Sequence, residues 1–181
     1  MKSPTSQALA LAALSLIAFA IGHLAVVAVY PYRATSMAMD RISQNGAAVN
    51  QWRHGQRATG QSRRIVRPSP DLANSSCVYD LATGPVRVTA APWDGYMSVS
   101  VYSANSDNIF VVNDRNAPQG VDMIIYLRGT PRPSGADLVV ESPSRRGIVL
   151  QRRLAPTAER FAAAAAARAS DGCTSLAEQG L

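Results

Sequence analysis

Between Ala8 and Val29 the chain reads ALALAALSLIAFAIGHLAVVAV, an apolar run in which His23 is the only ionisable residue. About 20 apolar residues cross a hydrocarbon core as a helix, so the pattern predicts a transmembrane anchor within residues 1–33. Tyr30, Pro31, Tyr32 and Arg33 follow as an interfacial aromatic and cationic belt. The run is longer than the roughly 7–15 apolar residues of a signal peptide, which favours an uncleaved anchor. Val26-Val27-Ala28 supplies small residues of the kind a signal peptidase reads, so cleavage is the alternative. Thr35–Gly46 (TSMAMDRISQNG) has a Thr/Ser start, Met37 and Ile42 among polar positions and a Gly stop, the marks of a short helix leaving the membrane.

Residues 34–70 therefore divide into that helix and a polar, Arg-rich linker. From Ser75 onward the period shortens to β-branched and aromatic runs punctuated by turn residues. Strands are expected around Cys77–Leu81, Val86–Ala90, Tyr96–Tyr102, Asn108–Asn113, Asp122–Arg128, Asp137–Glu141 and Gly147–Leu154. No helical pattern fits the gaps, which excludes a βαβ fold. The prediction is a mainly β domain over residues 71–181, an antiparallel sandwich or jelly roll. Within Tyr96–Tyr102, Met97, Val99 and Val101 face the core, leaving Tyr96, Ser98, Ser100 and Tyr102 for a cleft or solvent. Pro156–Ser170 is an alanine-rich helix with Thr157 as N-cap, and Cys173 follows it closely.

Composition adds compartment and excludes classes. The chain has 181 residues, 47% hydrophobic and 17% charged, with a net charge of +6; collagen, mucin, coiled coil and full disorder are excluded. Lys2 is the only lysine, so the basic balance is an arginine bias and gives no argument for a nucleic-acid partner. Positive charge flanks the apolar run on both sides, so charge alone does not orient the anchor. Cys77 and Cys173 are the only cysteines. They fit one structural disulfide in an oxidising compartment, with two buried thiols as the alternative. An anchor and a disulfide together favour an inner-membrane, single-pass protein with its body in the periplasm. Arg53, Arg57, Arg63, Arg64 and Arg67 fall in a stretch without acidic residues, which would attract anionic lipid headgroups; a solvated linker is the alternative.

One order of short motifs is specific. Asp71-Leu72, Cys77-Val78-Tyr79-Asp80-Leu81, Gly84-Pro85-Val86, Pro92, Asp94, Tyr96, Ser98, Tyr102, Asn105, Asn113-Asp114-Arg115, Val139-Val140-Glu141-Ser142-Pro143 and Arg146-Gly147 resemble the bacterial domain-of-unknown-function family numbered 1254. The apolar N-terminus with its Gly22-His23 pair and the C-terminal helix ending in Cys resemble the short membrane-anchored form of that family. The resemblance implies a β-rich envelope protein that acts beside, or fused to, a partner of a second family numbered 1214. None of these motifs is a catalytic signature.

The chemistry available is sparse. His23 lies in the apolar run, where it would mark a partner contact or proton site unless it reaches the interface, and His54 lies in the linker far from any Gly-x-Ser-x-Gly turn, so a catalytic triad is disfavoured. Four closed zinc ligands would need both cysteines and His54 without local spacing, and no metal or other cofactor is expected. Asn105-Ser106-Asp107-Asn108 has oxygen ligands but reads as a turn rather than a calcium loop. Asp94, Asp107 and Asp114 near strand ends are the candidate carboxylates of a hydrolase acting on envelope sugar or peptide. Trp93, Tyr96 and Tyr102, with Asn105 and Arg115, are the candidate binding residues of a cleft. Arg115 is expected to fold back over the sheet edge onto a carboxylate or strand-end carbonyls. The leading expectation is a non-catalytic accessory or binding module, with the hydrolase as alternative. The discriminator is whether those carboxylates converge in one pocket.

Overall fold

The computed structural model describes residues 4–59, 61–62 and 68–179. Its first element, α1 (Pro4–Ile42), is one helix of 39 residues. The anchor and the short helix expected at 35–46 are thus continuous, running through Pro31. A proline in a helix removes the bond to the carbonyl four residues earlier, here Val27. At the end of an apolar run this is tolerated because lost backbone bonds can be met by neighbours or water. The helix stops where Gln44, Asn45 and Gly46 take left-handed φ of 55°, 58° and 97°. The Asn45 N–H donates to the Asp40 carbonyl there.

Among the described residues nine strands form two sheets. The first has the order β1 (Trp52–His54), β2 (Leu72–Asp80), β8 (Arg146–Leu154), β4 (Met97–Tyr102), β5 (Asn108–Asn113). The second has the order β7 (Leu138–Ser142), β6 (Val121–Leu127), β3 (Val86–Ala90), β9 (Gly172–Ser175). The fold is mainly β, as the alternation requires. Apart from an isolated parallel bridge of Val49 to Val78, the pairings among the described strands are antiparallel except β6 with β7, which run parallel from Met123↔Leu138 to Leu127↔Ser142. That pair departs from the all-antiparallel expectation, because residues 128–137 carry the chain back without a helix.

The sheets face each other over one core. Cys77 and Tyr79 of β2, Val99 and Val101 of β4 and Val149 of β8 meet Val86 and Val88 of β3 and Met123 and Ile125 of β6, all at 0% exposure. Cys77 and Cys173 are disulfide-bonded, Cα to Cα 6.7 Å, joining β2 of one sheet to β9 of the other. Helix α2 (Ala158–Ala167) is capped by the Thr157 side chain, which accepts from the Arg160 N–H. It closes one end through Phe161 and Ala164 packed on Ala73, Ala155 and Trp93.

Two elements differ from the linker and terminus expected from the pattern. β1 lies inside the Arg-rich stretch, pairing Trp52 with Cys77 through His54 with Ser75. Trp52 holds it by donating its indole N–H to the Gly172 carbonyl at 2.9 Å. β9 directly follows the C-terminal helical turn and pairs with β3.

Candidate functional site

The last turns of α1 lie over the outer face of the first sheet. Thr35, Met39 and Ser43 recur every four residues and are buried, which is the helical face turned to the protein. Ala34 and Ala38 present only methyl groups beside that face, so the helix does not fill the space over the strands. A groove of about 600 Å³ results, lined by Ala34, Thr35, Ala38 and Ile42 of α1 against Leu72, Ile148, Leu150 and Arg152 of β2 and β8, with Tyr102 and Ser106 at its side. This lies within the range of about 300–1,000 Å³ typical of ligand sites. On the other flank of α1 a second cavity of about 720 Å³ is polar, lined by Asp40, Arg41, Arg53, His54 and Asn74.

The strand pattern explains the groove. In β8 the residues turned into the sandwich are Gly147, Val149, Gln151 and Arg153, all buried. Ile148 and Leu150 therefore point outward and are kept half-buried beside α1. At 1.5 Å per residue, the α1 wall of the groove begins about 8 Å beyond Val29 and ends about 20 Å beyond it.

Inside the same strand, Arg153 meets Asp171 as a bidentate pair, with 2.8 and 3.0 Å bonds and side-chain exposures of 1% and 0%. Gln151 donates to Asp171 at 2.9 Å and accepts from Arg153 at 3.2 Å. The Ala91 N–H also donates to Asp171, and the Ala91 carbonyl accepts from Arg153. Both carboxylate oxygens are thus engaged. His54 Nδ1 lies 2.9 Å from Ser75 Oγ, but Ser75 is 1% exposed and Asp171 is committed to Arg153. Asp171 is therefore not free to complete a triad there, and the bond to Ser75, which also lines the polar cavity, orients the imidazole. Burial, then the Arg168 charge, holds the His54 pKa below the usual imidazole value.

The expected carboxylates do not converge. Asp94 is exposed and pairs with Arg160 at 3.3 Å. Asp114 accepts from the Met97 N–H at 3.1 Å and closes the β4–β5 ladder there. Asp107 lies in the turn at the other end of that ladder, accepting from Asn105 at 2.6 Å. Asn105 also accepts from the Ser103 hydroxyl, so this segment is a side-chain-braced turn. Among the described residues no three His, Cys, Asp or Glu side chains are placed to hold a metal.

The five candidate binding residues are likewise dispersed. Trp93 lies under the Arg160 guanidinium, 4.5 Å from its ring centroid, and donates to the Leu154 carbonyl, fastening α2. Tyr96 is 46% exposed, and Tyr102 alone of the aromatic candidates lines the groove. Contrary to expectation, the described contacts of Arg115 are to its backbone N–H, which donates to the Asn113 side chain, and its side chain is exposed. The guanidinium that braces the fold is Arg153, eighteen residues from its carboxylate and without a local motif. Of the arginine cluster, Arg53 lines the polar cavity and Arg57 donates to the Pro156 carbonyl. Arg63, Arg64 and Arg67 lie outside the described residues.

A protein-family model matches residues 49–175, from the Val49 bridge onto β2 to the last residue of β9. The chain belongs to the family described as "Protein of unknown function (DUF1254)". The match covers the sandwich of this DUF1254 chain and leaves α1 outside. The VPA0106 protein of Vibrio parahaemolyticus has a similar fold, with a TM-score of 0.68 and 15% identity over 86% of this chain and 38% of that one. The present chain thus spans under two-fifths of that protein. An uncharacterised protein of Burkholderia cenocepacia aligns with a TM-score of 0.46 and 17% identity, over 66% of this chain and 35% of that one. No curated protein matches the chain.

Proposed function

We propose that this DUF1254 chain is a non-catalytic binding module, held at the periplasmic face of the inner membrane by α1 and acting with another envelope protein. The carrying observation is that cavities of about 720 and 600 Å³ lie between the sandwich and the helix that continues the apolar run, while Asp94, Asp107 and Asp114 are separated and spent on local bonds. A hydrolase of the expected kind needs two carboxylates across one cleft. The span is supported by the exposed apolar surface of α1, whose hydropathy-rich window is 0% buried. Such a surface calls for lipid or partner cover. The disulfide supports an oxidising compartment.

The partner we propose is a protein of the family numbered 1214. It is sought by tagging the full chain and purifying it from solubilised membranes with α1 intact. Stoichiometric recovery of that partner, retained in an Asp94→Asn, Asp107→Asn, Asp114→Asn variant, is the expected result. Loss of cellular function in this triple variant, with folding and partner recovery unchanged, would restore the hydrolase.

A further inference from the structure

The groove beside α1 has features that select a ligand. Its α1 wall is the direct continuation of the apolar run, so a molecule leaving the bilayer along the helix meets Ala34 first and then Ala38. Ile148 and Leu150 give it an apolar floor. Arg152 lines this surface, half-buried, and among the described residues no carboxylate or carbonyl accepts from its guanidinium. A permanent cation in an apolar groove calls for an anion. Arg33, exposed and one residue before the groove wall, adds a second cation on the approach from the membrane.

We propose that this groove takes an anionic phospholipid of the bilayer, with an acyl chain against Ile148 and Leu150 and its phosphate on Arg152. This rests on the anchoring role of α1 and gives the binding module its ligand class. Apolar lining alone would suit any greasy segment. Arg152, without a hydrogen-bond acceptor among the described residues, and the shared wall with the span favour a lipid with a negative headgroup.

The test uses the full chain reconstituted in phosphatidylcholine vesicles with or without phosphatidylglycerol. Each preparation carries a phospholipid, choline or glycerol headgroup, with a photoactivatable acyl chain. Vesicle flotation and the labelled segments are both read. The expected result is flotation, with label on β8 from the glycerol probe in excess of the choline probe. Arg152→Gln should lower the β8 label about tenfold, the loss of one charge-assisted hydrogen bond, while label on the α1 span stays. Ala38→Trp, which fills the groove and keeps the charge, should remove the β8 label. A chain that floats and is labelled only on α1, or equally on β8 by both probes irrespective of Arg152, would overturn the lipid site and leave the anchor standing. A chain that does not float would overturn both.

Discussion

Arg153 and Asp171 grip one another by two hydrogen bonds inside a β-sandwich, in a strand position that alternation reserves for a hydrophobic side chain. Asp171 lies between the end of the helical segment after α2 and β9. The pair therefore fastens the C-terminal return of the chain to the centre of the first sheet, close to where the disulfide does the same.

Removing one partner leaves a buried charge uncompensated, which costs about 3–5 kcal/mol. Arg153→Ala and Asp171→Ala should each lower the thermal midpoint of the full chain in detergent by that equivalent, and the double variant by less than their sum. Arg153→Lys should also lose stability, because an ammonium cannot reproduce the fork. Additive losses would show that the two side chains act independently.

The Cys77–Cys173 bond joins residues 96 positions apart in the sequence. In the chain-entropy account closing a loop of that length contributes about 4–5 kcal/mol. Cys77→Ser should abolish the faster-migrating form on non-reducing electrophoresis and lower stability by an amount of that order. Identical mobility with and without reductant would contradict the bond.

Gly147 lies opposite Tyr79 in the β2–β8 register. A β-carbon there would collide with the Tyr79 ring and hydroxyl and with the Tyr102 carbonyl. The same hydroxyl donates to the Tyr102 carbonyl at 3.1 Å and lies 2.9 Å from Ser142 Oγ. Gly147→Ala should therefore destabilise by about 1–3 kcal/mol, and adding Tyr79→Phe should not restore it, because the ring and the Tyr102 carbonyl still occupy the space. Equal stability of Gly147→Ala and the parent by chemical denaturation would refute this packing.

Much of this fold was legible because alternation and turn chemistry agree. β3 (Val86–Ala90) and β5 (Asn108–Asn113) have the limits their patterns indicate. β1 was hidden because three residues carry too little pattern, with Trp52 the one half-buried side chain among them. The parallel pairing of β6 and β7 is set by a long return that local sequence does not encode. Gln151 and Arg153 look like surface residues until Asp171 is brought to them by tertiary contact. The groove had a usable sign: Ile148, Val149 and Leu150 are consecutively apolar, which indicates a strand covered on both faces. The aromatic residues were a poorer guide, since Trp93 was needed to dock α2.

His54 gives the fold a pH dependence. Its pKa in the folded chain is lowered from 6.5, first by burial and then by Arg168. The folded state disfavours the protonated ring, so the unfolded chain binds more protons in this range and stability rises with pH. The contribution is complete above 6.5 and is lost as pH falls through the lowered folded value. Between about pH 7.5 and about pH 5.5 the parent should lose more thermal stability than His54→Gln. Parallel pH profiles would exclude His54 as the source.

The central claim is that α1 remains part of the protein and holds the sandwich at a membrane. The direct measurement is the intact mass of the chain recovered from cell membranes after alkaline carbonate washing, beside that of the soluble periplasmic fraction. The account predicts a membrane-retained chain whose mass includes the whole of α1. A mature chain beginning at Val29 and found in the soluble periplasmic fraction would contradict it.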